Sequence, residues 1–395
     1  MAAPDVTLPV HATSTHATNP HTAIPHLLLR LLSYDPKTGT CHEKTWNDVI
    51  LACGLAGCFL LVKASLYKRL LPTLADRWKV PNTPAQRAKF HEQAWLLLCH
   101  TVSLAIGLAL VIGTPQAPAL LGMREGLKHF WIGYPHDHIQ LEPKFKLFYF
   151  CVLGYWLHHV VALTLEGLDR RAFEKAKAQG RTGMPYARSR SDFWPLAVHH
   201  AVTVGLVVVS YYTNFTRIGQ SIMVVLDVAD VLLPLAKILK YAGHTTICDT
   251  TFAVFALSWL VTRHWILLLF VVSIWRDSLI YIPETSRAWA PEIGCFYSKK
   301  IYWLFLGFFG TLQLLLVYWL ALIVKVVLKV MRGAPAEDVR SDSEDNDGEG
   351  EGVENEMEND EVAVKGLKVG KRSFGSGPLY VQQGVTPRKR APRRR

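Results

Sequence analysis

Leu196-Ala-Val-His-His-Ala-Val-Thr-Val-Gly-Leu-Val-Val-Val-Ser210 is an apolar run broken by two adjacent imidazoles, His199 and His200. It lies in a segment, 193–213, of the ~20 residues needed to cross a bilayer. Six comparable runs flank it, at 46–66, 93–113, 145–165, 218–242, 251–275 and 301–327. Half of the 395 residues are hydrophobic and 19% are charged, and the charges crowd between these runs. The pattern predicts an all-α fold, a polytopic membrane bundle of about seven transmembrane helices with disordered N- and C-terminal tails. The half-apolar stretch 117–134 is a candidate for re-entering the membrane.

The connecting segments suggest an orientation. Residues 66–90 carry six Lys/Arg and residues 167–192 carry seven. Excess basic charge stays cytosolic, which puts the C-terminus in the cytosol and the N-terminus in the lumen. The chain divides into a tail (1–45), a first span with its basic loop (46–92), a six-helix domain (93–332) and a second tail (333–395). His11, His16, His21 and His26 recur every fifth residue, a period of neither helix nor strand, so the first tail reads as disorder. The seven cysteines show no zinc spacing and read as small apolar residues.

The second tail has thirteen acids within 337–361 and ends in Arg388-Lys-Arg-Ala-Pro-Arg-Arg-Arg395. The acidic block has the composition of disorder, with Ser341 and Ser343 exposed to acid-directed kinases. The basic end suits anionic lipid at roughly 1 kcal/mol per residue. Nucleic acid is not an expected partner. Asn214-Phe-Thr216 matches a glycosylation acceptor, but it lies too close to two spans for easy modification.

Polar groups within the spans point to a site. A charged Asp at a helix centre costs roughly 2.5–3.5 kcal/mol on insertion. The 218–242 run nevertheless carries Asp227, Asp230, Lys237 and Tyr241, with Pro234 between them. Steps of three and four place all five on one helix face. An Asp230–Lys237 pair that only fixes packing is the bland reading, and it leaves Asp227 and the histidines unexplained. Ser210 and Tyr211 continue the polar character after the histidine pair, and Tyr155, His158 and His159 add to it on the third span. Arg263 in the sixth span needs an anionic partner, either a ligand or one of the aspartates. Adjacent histidines lack the i,i+3 or i,i+4 spacing of a metal site, so no metal is expected.

The run from His199-His-Ala-Val-Thr203 through Ser210-Tyr211, Asn214-Phe215 and Arg217-Ile-Gly219 continues into Asp227-Val-Ala-Asp230, Ala236-Lys237 and Tyr241. Together these resemble the longevity-assurance motif of the ceramide synthases, in the TRAM/Lag1/CLN8 (TLC) membrane superfamily. Trp131-Ile-Gly-Tyr-Pro135 and Thr262-Arg-His-Trp265 resemble the family's flanking elements. The likeness covers about 130–332, the first spans loosely and the tails only in kind. The acidic tail, and Leu226 where animal members carry a histidine, resemble the fungal branch. Pro234 replaces a commonly polar residue.

The resemblance implies a six-helix TLC bundle in the endoplasmic reticulum. It would join a fatty acyl group from acyl-CoA to the amine of dihydrosphingosine or phytosphingosine, with no bound cofactor. It implies His199, His200, Asp227 and Asp230 as catalytic residues, with His199 as nucleophile or lead base and the aspartates orienting imidazole. Lys237, Tyr241, Asn214, Arg217, Arg263, Ser210 and Tyr211 would bind substrate. Membrane lipids, a paralogous synthase or a second copy, and a small single-span subunit are the implied partners. A non-catalytic TLC protein that senses lipid or attends a translocon is the alternative, and it would lack the His-His and Asp-x-x-Asp pairing. A proton-coupled transporter would show internal repeats, and none is visible.

Overall fold

A computed structural model describes residues 25–41, 44–179 and 192–332. Residues 1–24 and 42–43, the second tail with Ser341 and Ser343, and residues 180–191 of the second basic loop lie outside the described residues; the described remainder of the first tail, read from sequence as disorder, is folded instead. A short helix α1 (His26–Leu31) and a two-stranded ribbon (β1 Tyr34–Asp35, β2 Thr40–Cys41) precede the bundle. Its long helices are α2 (Trp46–Arg77), α3 (Pro84–Val111), α4 (Pro143–Ala178), α5 (Phe193–Tyr212), α6 (Thr216–Tyr241), α7 (Thr245–Tyr281) and α8 (Lys299–Met331).

Local chemistry sets several helix starts. Thr45 and Asp48 form a capping box at α2, Pro84 occupies the first turn of α3, and Ser298 accepts from the Ile301 N–H at α8. Between α5 and α6 the chain reverses through Asn214, in the left-handed region at φ 65°, which asparagine tolerates.

Six of the seven long helices are apolar enough to cross a membrane by length and composition. The exception is α6, which has the length but carries Arg217, Asp227, Asp230, Lys237 and Lys240. Among the described residues, six helices thus meet the expectation of a membrane span, and the seventh expected span, α6, does not by composition. Packing accounts for α6: it lies against α3 on one side and α7 on the other. Helices α3, α4, α5, α8, α7 and α6 follow one another as neighbours and close a ring, and α2 packs outside it on α4 and α3. Apolar side chains such as Leu61, Leu314 and Val317 face outward, as lipid-facing positions should.

One end of the ring is capped by residues 26–41, 113–142 and 282–298. The 117–134 stretch is not a span; it forms short helical turns, and its Phe130, Trp131 and Tyr134 join the core of α6, α7 and α8. Arg217 fastens this cap by donating to the carbonyls of Asp137 (2.7 Å), Ile132 (3.3 Å) and His129 (3.4 Å). Buried Lys146 pairs with Asp48 at 2.7 Å and donates to the Leu32 carbonyl. Tyr211 donates to the same Asp48 at 2.8 Å, so α2, α4 and α5 meet at one carboxylate and Lys146 ties the end of α1 to them.

Candidate active site

The ring encloses a cavity of about 1350 Å3, above the 300–1,000 Å3 usual for small-molecule sites. Adjacent helical residues point about 100° apart, yet His199 and His200 both line it, because the space is broad. Asp227 and Asp230 reach it from α6, Arg263 from α7, and His100, Tyr155 and His159 from α3 and α4.

The His199 ring lies edge-on between the indoles of Trp156 and Trp319, with centroids at 5.6 and 5.2 Å. Its Nδ1 has no hydrogen-bond partner. His200 Nδ1 sits 2.7 Å from the Leu196 carbonyl. A carbonyl only accepts, so Nδ1 carries the proton and Nε2 the lone pair. His159 stands 5.7 Å from the His200 ring and 4.6 Å from that of Tyr155.

The aspartates have other partners than the sequence suggests. Asp227 accepts from His100 Nδ1 at 2.8 Å, and His100 Nε2 lies 3.0 Å from the Tyr155 hydroxyl. The carboxylate expected to orient His199 or His200 therefore orients an imidazole on α3. Asp230 binds Arg263 Nη2 at 2.5 Å, and Arg263 Nη1 donates to the Leu226 carbonyl. Arg263 thus answers its own charge with an aspartate, and its guanidinium stacks 4.4 Å from the Trp259 ring. It lies in a π-helical segment, Leu260–Ile266, an insertion that often marks functional sites. Pro234 has no N–H to give the Asp230 carbonyl, so α6 runs on to Tyr241 with one backbone hydrogen bond missing beside this pair.

His100, Asp227 and Asp230 each bring one possible ligand atom within 4.8 Å of the others. Each carboxylate already holds an N–H donor, and the guanidinium neutralises Asp230, so the group reads as a hydrogen-bonded network.

Of the expected substrate-binding residues, Ser210 and Arg263 line the cavity, and Lys237, Tyr241, Asn214, Arg217 and Tyr211 do not. Asn214 accepts from Lys44 and donates to the Gly294 carbonyl. Tyr241 packs near Ala75, Val80, Phe90 and Ile238. His158 turns its Nδ1 to the Tyr155 carbonyl and stacks on Phe59. His100 escaped the sequence reading because a single histidine in an apolar run is usually a packing residue; its partner lies 127 positions away.

Sequence comparisons extend this geometry. The TLC domain profile (TRAM, LAG1 and CLN8) matches residues 89–325. The chain is 34% identical over 218 residues to sphingosine N-acyltransferase lag1 of Schizosaccharomyces pombe, an alignment covering 55% of this chain and 49% of the relative. It is 26% identical over 320 residues to ceramide synthase FUM18 of Gibberella moniliformis (75% and 67% covered). It is 29% identical over 300 residues to ceramide synthase LOH1 of Arabidopsis thaliana (73% and 84%). The chain spans about half the length of the first of these relatives. With the profile covering every helix of the ring and the whole polar cluster inside it, the chain belongs to the TLC-domain family.

Proposed function

We propose that this protein is an acyltransferase that moves a fatty acyl group from acyl-CoA to the amine of a sphingoid base, forming a ceramide. The observation that carries the reading is a paired imidazole on the wall of a large apolar cavity inside a membrane bundle. The relatives named as ceramide synthases support the choice of substrates.

A thioester needs a nucleophile, and a neutral imidazole is one near pH 7. His199, which lines the cavity, attacks the thioester carbon. The C–N bond forms, the C–S bond breaks, and the CoA thiolate leaves with the ring proton of His199. His200, with its tautomer set by Leu196, is the adjacent base. The sphingoid amine then displaces the imidazole. Asp227 orients His100 and Asp230 holds Arg263 at the cavity wall, and no bound cofactor is needed.

The apolar lining suits two lipid chains. Phe305, Phe309, Leu312, Leu316 and Trp319 wall one side from α8, and Phe59, Val62, Leu98 and Val102 wall the other from α2 and α3. Lys63 and Tyr67 line the end nearest the basic 66–90 segment, the docking side in this reading for the CoA phosphates. That end faces the cytosol of the endoplasmic reticulum membrane, with the N-terminus lumenal. A second synthase copy or paralogue and a small single-span subunit are the proposed partners.

The test is purified protein in detergent, given labelled acyl-CoAs of graded length with and without dihydrosphingosine or phytosphingosine. The expected result is one amide formed per CoA released. CoA release that yields fatty acid and no amide would make the protein a hydrolase instead.

A further inference from the structure

The polar groups inside the bundle form two sets. One is the imidazole pair on α5. The other links three helices in a line: Asp227 on α6, His100 on α3 and Tyr155 on α4, joined at 2.8 and 3.0 Å. All three line the cavity. The geometry points to Asp227–His100–Tyr155 as a proton-accepting relay for the incoming amine, separate from the histidines that handle the acyl group. This rests on the acyl-transfer reading above and assigns its second half.

The chemistry requires such a group. A long-chain primary amine has a pKa near 10, like lysine, and arrives as an ammonium with no lone pair. Two protons must leave its nitrogen before an amide results. The second departs with the leaving imidazole: as the new C–N bond forms and the acyl–imidazole bond breaks, His199 takes it and is restored as neutral imidazole. The first must be removed before attack, while His199 carries the acyl group and His200 stands beside it as the base of the acyl half. A second acceptor in the same cavity gives the amine half a base of its own.

The relay has the parts for this. Asp227 accepts at Nδ1 of His100, so the lone pair of the neutral ring lies on Nε2, aimed at the Tyr155 hydroxyl. This is the division of roles in a Ser-His-Asp triad, which is recognised by geometry and not by chain order. The ammonium gives its proton to the Tyr155 oxygen while the Tyr155 proton moves to His100 Nε2. The product is an imidazolium beside the Asp227 carboxylate, an ion pair in place of an isolated buried charge. Tyr155 touches the amine and is the catalytic group; His100 and Asp227 are positioning residues. Other titratable groups facing the relay are Asp230 and Arg263 from α6 and α7, Cys99 from α3, and His158 and His159 from α4. Arg263 is paired with Asp230, which leaves Asp227 as the carboxylate that balances His100.

Two variants test the relay, His100→Gln and the nearly isosteric Tyr155→Phe, each checked by thermal melting. Amide formation is measured from pH 6.5 to 10 on full-length protein in detergent. At neutral pH both should be slower by about 10²-fold or more, the usual contribution of a general base, with the larger loss in amine transfer than in acyl loading. The deficit should shrink as pH rises and solution supplies free amine. A long-chain alkoxyamine, uncharged at pH 7, should restore rate at neutral pH. A deficit independent of pH and of the amine's basicity, or no deficit, overturns the relay. Wild-type protein that forms no amide would instead sink the acyl-transfer reading, so the two failures are distinguishable.

Discussion

At the scale of single residues, charge inside the bundle is arranged so that cations meet carboxylates. Arg263 and Asp230 meet at 2.5 Å, the first nearly buried and the second on the cavity wall with a side chain 31% exposed. Removing one partner of such a pair costs more than the pair itself contributes, because the other charge stays desolvated. Arg263→Gln should therefore lower stability by on the order of 2–3 kcal/mol, read as an earlier thermal transition in detergent. An unchanged transition would show that the pair is solvated and dispensable. His199, His200, Asp227, Asp230 and Arg263 were legible in the sequence because each is expensive in an apolar run. Their partners were not: the helices that carry His100 and Asp227 are far apart in sequence, and only the ring brings them together. The same holds for Asp48 and Lys146, neither of which stands out in its own segment.

At the scale of elements, the apolar runs marked where helices exist but not where they end. Helix α2 continues to Arg77 and α4 to Ala178, well past residues 66 and 165, because backbone hydrogen bonding does not stop where hydrocarbon does. The cap was less legible, since it is built from irregular backbone whose carbonyls are satisfied by side chains from elsewhere. His138 shows how. Both its nitrogens lie near carbonyls, of Asn214 at 3.2 Å and Ile132 at 3.1 Å. Burial pushes its pKa down to about 4, with Arg217 adding to the effect and the two carbonyls and Asp137 opposing it. The unfolded ring titrates near 6.5. Between these values the unfolded chain binds more protons, so stability falls as pH drops from about 6.5 to about 4 and is retained above that window. From pH 7 to pH 5 the loss should be about 2 kcal/mol. Melting curves at the two pH values should separate for the wild type and move together in His138→Gln. Equal separation in both would place the pH dependence elsewhere.

At the scale of the molecule, the ring explains why a polar helix such as α6 lies among apolar ones. With α3 and α7 on its flanks and the cavity before it, its carboxylates meet protein and the cavity instead of lipid. Which helices neighbour one another is a tertiary property, so the ring's order could not be read from hydropathy, although the number of long helices could. If the acyl chain lies along α8, narrowing that wall should change selectivity. Leu312→Trp should shift the preferred acyl-CoA toward shorter chains, and an unaltered chain-length profile would place the acyl group in another part of the cavity. The central claim is that acyl transfer runs through the paired imidazoles. Its most direct test is the rate of amide formation from acyl-CoA and sphingoid base by folded His199→Ala/His200→Ala double-variant protein. The account predicts that product is lost in the variant and formed by the wild type under the same conditions; a double variant that transfers at the wild-type rate would contradict it.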